Sequence, residues 1–122
     1  MTEIDYLTGR YQTLSVSIMD NVLPKKEAGD LFTQIAKIDK DLRLFGEVRA
    51  TTPWRELKAM RDCGMREVQI GIEALSTRLL KKLHKGTSAI HNLEIMKNCE
   101  ALGIRSISNL ILQFPGSDEQ DV

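Results

Sequence analysis

The sequence predicts an α/β fold in which parallel strands alternate with crossover helices. Four apolar, β-branched runs have the length and composition of strands, and helical spacing of apolar residues follows each of the first three. In parallel sheets the chemistry lies outside the carboxyl ends of the strands. The polar residues that close these runs are therefore the first to consider as functional: Asp20, Glu47, Arg49, Glu73, Asn109 and Gln113.

The first predicted elements are a short polar segment at 3–12 and a strand at 14–20. Pro24 then opens a helix over 25–40, since proline suits the first turn of a helix. Apolar residues recur at helical spacing through that segment, which indicates one buried helix face.

The second strand is predicted over 43–50 and leads directly into another helix. Thr52 is the expected N-cap with Pro53 as the first helical residue, and Gly64 ends the helix. Trp54 lies in the first turn, where we expect it to pack between helix and sheet.

The third strand is predicted over 67–73, and Ser76 and Ser88 each cap a following helix. A fourth strand at 105–113 and a turn at 114–119 complete the pattern. The apolar residues expected to face inward from the last helix are Leu93, Met96 and Leu102.

Alternation along the third strand predicts a sheet with one polar face. Val68, Ile70 and Ile72 share one side, whereas Gln69, Gly71 and Glu73 share the other. Glu47 and Arg49 share a face of the second strand, and Asn109 and Gln113 share a face of the fourth. Buried polar groups need partners, so this face either holds a polar ligand in a cleft or belongs to edge strands and is solvated.

Composition is that of an ordinary globular chain of at most one domain, with 122 residues, 42% hydrophobic and 28% charged. The net charge of zero argues against a nucleic-acid partner. No apolar run approaches the ~20 residues that span a bilayer, so no membrane association is expected. Cys63 and Cys99 have neither disulfide nor metal spacing, and a cytoplasmic setting is expected.

Several of these stretches together resemble the middle of a radical S-adenosylmethionine (SAM) enzyme. The residues that carry the resemblance are Ile18-Met-Asp-Asn-Val-Leu-Pro24, Glu47-Val-Arg49, Gly71-Ile-Glu73-Ala-Leu-Ser76, Lys85-Gly86 and Asn109-Leu-Ile-Leu-Gln-Phe-Pro-Gly116. Their order and spacing agree with the radical SAM superfamily over roughly residues 14–121. The nearest resemblance is to cobalamin-associated members, including enzymes that modify ribosomal peptides.

The resemblance implies a fragment of a partial (β/α)₆ TIM-like barrel, with about four βα units in the whole span 1–122. The superfamily's C-x₃-C-x₂-C cluster loop would lie upstream, and a C-terminal part would follow. The parent enzyme would then use SAM and a 4Fe–4S cluster, and cobalamin, if used, would bind a separate upstream domain. This chain alone would be inactive. We expect the fragment to self-associate through exposed strand edges.

The resemblance also implies roles for individual residues. Glu73 would contact the cofactor ribose, or else form a surface ion pair or cap. Arg49 would grip the cofactor carboxylate, or else pair with Glu47 or Glu73 inside the barrel. Asn109 and Ile111 would lie against adenine, with Ile111 otherwise a core residue.

On the same basis Asp20 and Asn21 would lie on the substrate side, or else form an Asx turn. The substrate would be a peptide or a small metabolite.

The competing hypothesis is a non-enzymatic α/β module that binds a small ligand or partner at its polar strand ends. His84 and His91 are expected on the surface, and Arg78, Lys81, Lys82 and Lys85 are expected to form a solvated basic helix face.

Overall fold

A computed structural model describes residues 2–19 and 25–121, with side chains from Glu3 to Met19 and from Gly29 to Asp121. Four strands alternate with helices as predicted, which confirms the α/β class. The elements are α1 (Thr2–Tyr11), β1 (Ser15–Ser17), α2 (Lys25–Ile35), β2 (Arg43–Val48), α3 (Trp54–Asp62), β3 (Met65–Glu73), α4 (Thr77–Lys82), α5 (Ala89–Leu102), β4 (Arg105–Leu110) and a 3₁₀ turn (Glu119–Asp121).

The strands form one parallel sheet in the order β1-β2-β3-β4. Glu47 lies beside Gln69, which lies beside Ile107, so these three side chains cross the sheet on the same face. Because β2 and β3 each have two neighbours, an edge position does not explain their polar residues. Among the strands with predicted polar faces, an edge position applies to β4, which together with β1 bounds the sheet in the described ranges.

One face of the sheet is buried under α2, α3 and α5. Val68 and Ile70 are 0% exposed and Ile72 is 1% exposed, as the alternation along β3 predicts. Gln69 and Glu73, on the other face, are only half-buried. The core that joins the sheet to the helices consists of Phe32, Ile35, Leu42, Leu44, Ala50, Leu57, Met60, Met65, Val68, Ile70, Ile72, Ile95, Cys99 and Ile104.

The start of α3 corrects two predictions. Pro53, not Thr52, is the N-cap residue, with φ −74° and ψ 157°, and Trp54 is the first helical residue. Trp54 is 44% exposed instead of packing between helix and sheet. The side chain of a residue in the first turn leans toward the helix N-terminus, which here points it away from the core below.

The two helices that follow β3 begin at the predicted serines. The Oγ of Ser76 accepts a hydrogen bond from the Leu79 amide at 3.2 Å. Ser88 is the N-cap of α5, where its amide donates to His91 Nδ1 at 3.2 Å. His91 is exposed, as predicted, and its bond to the Ser88 amide stabilises the start of the helix.

The buried face of α5 differs from the prediction. Asn92, Ile95 and Cys99 face the sheet, each at most 1% exposed, while Leu93 is 50% exposed. Met96 and Leu102 are half-buried at the edge of the core. The buried face of the helix is therefore rotated relative to the predicted one, and it includes Asn92, whose amide bonds to backbone carbonyls at the end of β3.

Element bounds differ modestly from those predicted. The strand predicted at 14–20 forms only over Ser15–Ser17. The Ile18 amide still donates to the Phe45 carbonyl at 2.8 Å. The strand predicted at 105–113 ends at Leu110, and the helix predicted to Lys40 ends at Ile35. Pro24, Asp20 and Asn21 lie outside the described residues.

The turn between α3 and β3 requires glycine, which generates a first prediction. Gly64 has φ +109°, and a Cβ there would overlap the carbonyl oxygen of Leu42. We expect Gly64→Ala to lower the free energy of unfolding by about 3 kcal/mol, measured by urea denaturation.

Gly9→Ala is the matched control, since Gly9 lies within α1 and a Cβ there would meet nothing within 4 Å. That variant should be neutral or more stable by up to about 1 kcal/mol. Equal stability of Gly64→Ala and the unmodified chain would show that the turn is not constrained in this way.

Candidate functional site

A polar cleft of about 650 Å³ lies at the carboxyl ends of β2 and β3, on the open face of the sheet. Its walls come from the end of β2, the open face of β3 and the loop after α4. The residues that line it are Glu47, Val48, Arg49, Ala50, Thr51, Gln69, Gly71, Glu73, His84, Lys85, Gly86 and Thr87.

The β2 side of the cleft contains the predicted pair Glu47 and Arg49. Both side chains are exposed, and alternation along the strand places them on the same side of the sheet. Neither Glu47 nor Glu73 lies within 4.0 Å of the guanidinium, so the predicted internal ion pairs are not formed among the described residues. The Arg49 guanidinium is thus available to an anionic group in the cleft.

Glu73 ends β3 in an unusual backbone conformation. Its φ is +64°, in the left-handed region that non-glycine residues seldom adopt, and the register with β4 shifts between Ile70 and Glu73. The amide of Ile111 donates to the Glu73 carbonyl at 2.8 Å. The carboxylate points into the cleft, where Oε1 lies 3.4 Å from Lys85 Nζ.

The loop after α4 supplies a third wall that sequence reasoning missed. His84, Lys85 and Thr87 all line the cleft, and His84 has φ +52°. The Lys85-Gly86 motif is part of the family resemblance, but the charge pattern predicts Lys85 on a helix face, whereas it lies in the loop after α4. Gly86, with φ +68°, marks a sharp turn back toward the sheet.

The remaining predicted residues lie apart from this cleft. Asn109 and Ile111 are exposed at the end of β4, and neither lines the cleft, although the Ile111 backbone bonds to Glu73. Gln113 is exposed beyond β4. The structure therefore brings Glu47, Arg49 and Glu73 together and leaves Asn109 and Ile111 outside the cleft lining.

A buried carboxylate ties the C-terminal turn to α4. Asp121, whose side chain is fully buried, accepts from Ser76 Oγ at 3.0 Å and from Arg78 Nε at 2.9 Å. Lys82 Nζ lies 3.5 Å from the second carboxylate oxygen, and Arg78 also pairs with Asp118. Arg78 and Lys82 are exposed, as the predicted solvated basic face requires, and both also pair with Asp121.

This cluster lowers the pKa of both carboxyl groups. Burial raises the pKa of Asp121, but hydrogen bonds from Arg78, from the Asp118 amide and from Ser76 outweigh it and lower the pKa to about 2. The Arg78 guanidinium likewise lowers the pKa of Asp118. Since α4 leads into the loop at 84–87, the cluster anchors one wall of the cleft.

The two cysteines lie away from the cleft, on the helix side of the sheet. Cys99 is part of the core and Cys63 packs against it, and both are free thiols. Burial raises the pKa of both thiols, which disfavours the thiolate that metals require. Within residues 2–19 and 25–121 no three histidine, cysteine or acidic side chains converge on a possible metal site.

In the same ranges no helix has the length and hydropathy to cross a bilayer.

Comparisons of the sequence and the fold with known proteins give several matches. The chain matches the sequence model of the Radical SAM superfamily over residues 3–122. It is 26% identical over 123 aligned positions to an uncharacterised methyltransferase of Pyrococcus horikoshii. The match covers 98% of this chain and 27% of that protein, so the chain spans about a quarter of this relative's length.

Two solved structures share the fold. The radical SAM methyltransferase TsrM of Kitasatospora setae, solved with tryptophan and a SAM analogue, superposes with a TM-score of 0.83 over 98% of this chain and 25% of its own, at 19% identity. The cobalamin-dependent radical SAM enzyme OxsB, solved with aqua-cobalamin, gives a TM-score of 0.75 over 90% of this chain and 18% of its own, at 21% identity. At these identities the likeness shows the fold, a part of a TIM-like barrel.

The Asp121 cluster generates a prediction for acid stability. Because the folded-state pKa lies below the ordinary 3.8, the ionised carboxylate stabilises the fold above about pH 4, and this contribution is lost as the pH falls toward 2. We expect urea denaturation to show Asp121→Asn less stable than the unmodified chain at pH 6. The difference should shrink steadily between pH 4 and pH 2, and a difference that is constant over that range would contradict the assignment.

Proposed function

The chain belongs to the Radical SAM superfamily, and from that premise we propose that it forms one wall of the SAM site in a larger radical SAM enzyme. The observation that carries this proposal is the polar cleft at the strand ends, where carboxylates and cations from three elements converge. The relatives' greater length supports the view that further parts complete the enzyme.

The cleft residues fit the chemical groups of SAM. Arg49 and Lys85 offer cations for the cofactor carboxylate, and Glu47 and Glu73 offer carboxylates for its ammonium group and ribose hydroxyls. The hydroxyl of Thr87 is buried without a hydrogen-bond partner in the described part of the chain and lies at the cleft wall. These donors and acceptors would otherwise need water as their partner.

Glycine keeps the floor of the cleft open. A Cβ at Gly71 would stand 3.9 Å from both Glu73 Oε1 and Lys85 Nζ, in van der Waals contact with both charged groups. A side chain there would occupy the space over the β3 backbone that a ligand can otherwise approach closely. The shape supports a flat or narrow group, such as the ribosyl part of SAM, lying on the strand.

We assign Glu73 to the ribose and Arg49 to the carboxylate of SAM. The Glu73–Lys85 pair is partly exposed, with side-chain exposures of 28% and 35%, so a ligand hydroxyl can replace the ammonium group at little cost. A guanidinium can hold a carboxylate through two parallel hydrogen bonds, which fixes its orientation. Binding and orientation of the cofactor are the contributions of these two side chains.

The remaining assignments are proposals of the same kind. Asn109 and Ile111, which do not line the cleft, are proposed to approach adenine where the ligand extends toward β4. Glu47 is proposed to contact the amino-acid part. Asp20 and Asn21 are proposed to face the substrate. A cobalamin partner is supported by the aqua-cobalamin bound to OxsB. Self-association of the isolated chain through exposed strand edges stays a prediction.

A 4Fe–4S cluster does not fit the described residues. Cys63 and Cys99 are separated from the cleft by the sheet, and their thiols are held protonated by burial. We therefore propose that an upstream segment supplies the three cysteines of the superfamily's C-x₃-C-x₂-C loop. In this superfamily the bound cluster supplies the electron that cleaves SAM. The residues of this chain hold and orient SAM and shield it from water.

The proposal predicts how two substitutions change cofactor affinity. Calorimetry with SAM, on a longer chain that includes the three-cysteine loop and is loaded with its cluster, should show binding. We expect Glu73→Ala and Arg49→Ala each to weaken binding by about 10- to 100-fold, because each removes a charge-assisted contact.

Arg55→Ala and Glu100→Ala are matched controls, since both residues are exposed on helices away from the cleft. Their affinities should equal that of the unmodified protein. Absence of SAM binding by the cluster-loaded chain would overturn the proposal. Full-strength binding of SAM by the 122-residue chain without any cluster would instead favour the non-enzymatic binding module.

A further inference from the structure

Asn92 is a buried polar residue that bonds to the backbone on both sides of Glu73. It projects from α5 toward the end of β3 and is 0% exposed. Its Nδ2 donates to the carbonyl of Ile72 at 3.1 Å and to the carbonyl of Ala74 at 2.7 Å. One amide group therefore bridges the carbonyls of the two residues that flank the glutamate.

The orientation of this amide is dictated by its neighbours. Two carbonyl oxygens face Nδ2, so the opposite orientation would set Oδ1 against two acceptors without a hydrogen. In the observed orientation Oδ1 is buried without a hydrogen-bond partner among the described residues. An unsatisfied buried oxygen is costly, and an apolar residue of similar size would avoid that cost.

The backbone that Asn92 holds is itself strained. Glu73 has φ +64°, and the carbonyl of Ile72 also accepts from the Ala74 amide at 2.7 Å, which closes a tight turn around the glutamate. From the other side, the Ile111 amide donates to the Glu73 carbonyl. A conformation of this kind persists only where the surroundings determine it, and here hydrogen bonds from α5 and the end of β4 do so.

We propose that Asn92 is a positioning residue that holds Glu73 in its left-handed conformation and so aims the carboxylate into the cleft. Without the bridge, the peptide can relax toward an extended conformation. A change of φ at Glu73 redirects its Cα–Cβ bond, so that relaxation moves the carboxylate away from its present position 3.4 Å from Lys85 Nζ. The proposal rests on the assignment of the cleft to SAM, although its structural part can be tested without any ligand.

The test is Asn92→Leu, which keeps the volume of the side chain but removes the amide. In the longer, cluster-loaded chain we expect SAM affinity to fall roughly tenfold, the order of coupling found between residues in contact. In a Glu73→Ala background the same change should have no further effect on affinity. A residue that only stabilised the fold would weaken binding equally in both backgrounds.

Amide hydrogen exchange at Ile111 gives a readout that needs no SAM. The Ile111 amide bonds to the Glu73 carbonyl, so release of that carbonyl should speed its exchange at least tenfold in Asn92→Leu. Asn92→Ser, which keeps one donor, should restore part of the protection.

Cys99→Ala is the matched control, since Cys99 is also 0% exposed and lies two turns along the same helix. It should lower stability without changing the Glu73-dependent part of SAM affinity or the exchange at Ile111. Unchanged exchange at Ile111 in Asn92→Leu, or equal affinity losses in both Glu73 backgrounds, would overturn the proposal. If the unmodified longer chain fails to bind SAM while exchange at Ile111 responds as expected, the assignment of the cleft fails and the positioning role stands.

Discussion

Burial of one face of β3 under the helices determines which side chains reach the open face of the sheet. Val68, Ile70 and Ile72 are each at most 1% exposed, and removing such side chains from water is worth about 1.5–3 kcal/mol apiece. A shift of one residue would place Gln69 and Glu73 in the core instead, so the register is strongly determined. The same alternation therefore directs the polar side chains of β2 and β3 to the open face, where the cleft lies.

At the end of β3, buried hydrogen bonds rather than apolar contacts determine the backbone conformation. The strand does not simply run out at Glu73, because bonds from Asn92 and Ile111 hold the backbone in a tight, left-handed turn. Strain of this kind is common where a side chain must be held ready for a ligand. The core thus contributes to the site through a polar contact that crosses from the helix layer to the sheet.

Sequence patterns predicted the features that depend on local periodicity. Alternation identified the faces of β3, and the capping residues Ser76 and Ser88 marked helix starts. Contacts between residues distant in sequence were missed, because no local pattern reports them. The apolar pattern of α5 predicts Leu93 in the core. In the structure Asn92 is buried instead, because its amide bonds to β3, and Leu93 is exposed. Asp121 likewise resembles a solvated turn residue until the fold brings Arg78 to it.

The central claim is that the open face of β3 is a ligand surface, and a crystal structure of the longer, cluster-loaded protein with SAM tests it most directly. We expect the ribose within hydrogen-bond distance of Glu73, the methionine carboxylate at Arg49, and the ligand lying over Gly71. Density for another segment of the protein packed into the cleft, with SAM bound elsewhere, would contradict the claim and reassign the polar face to an interface within the protein.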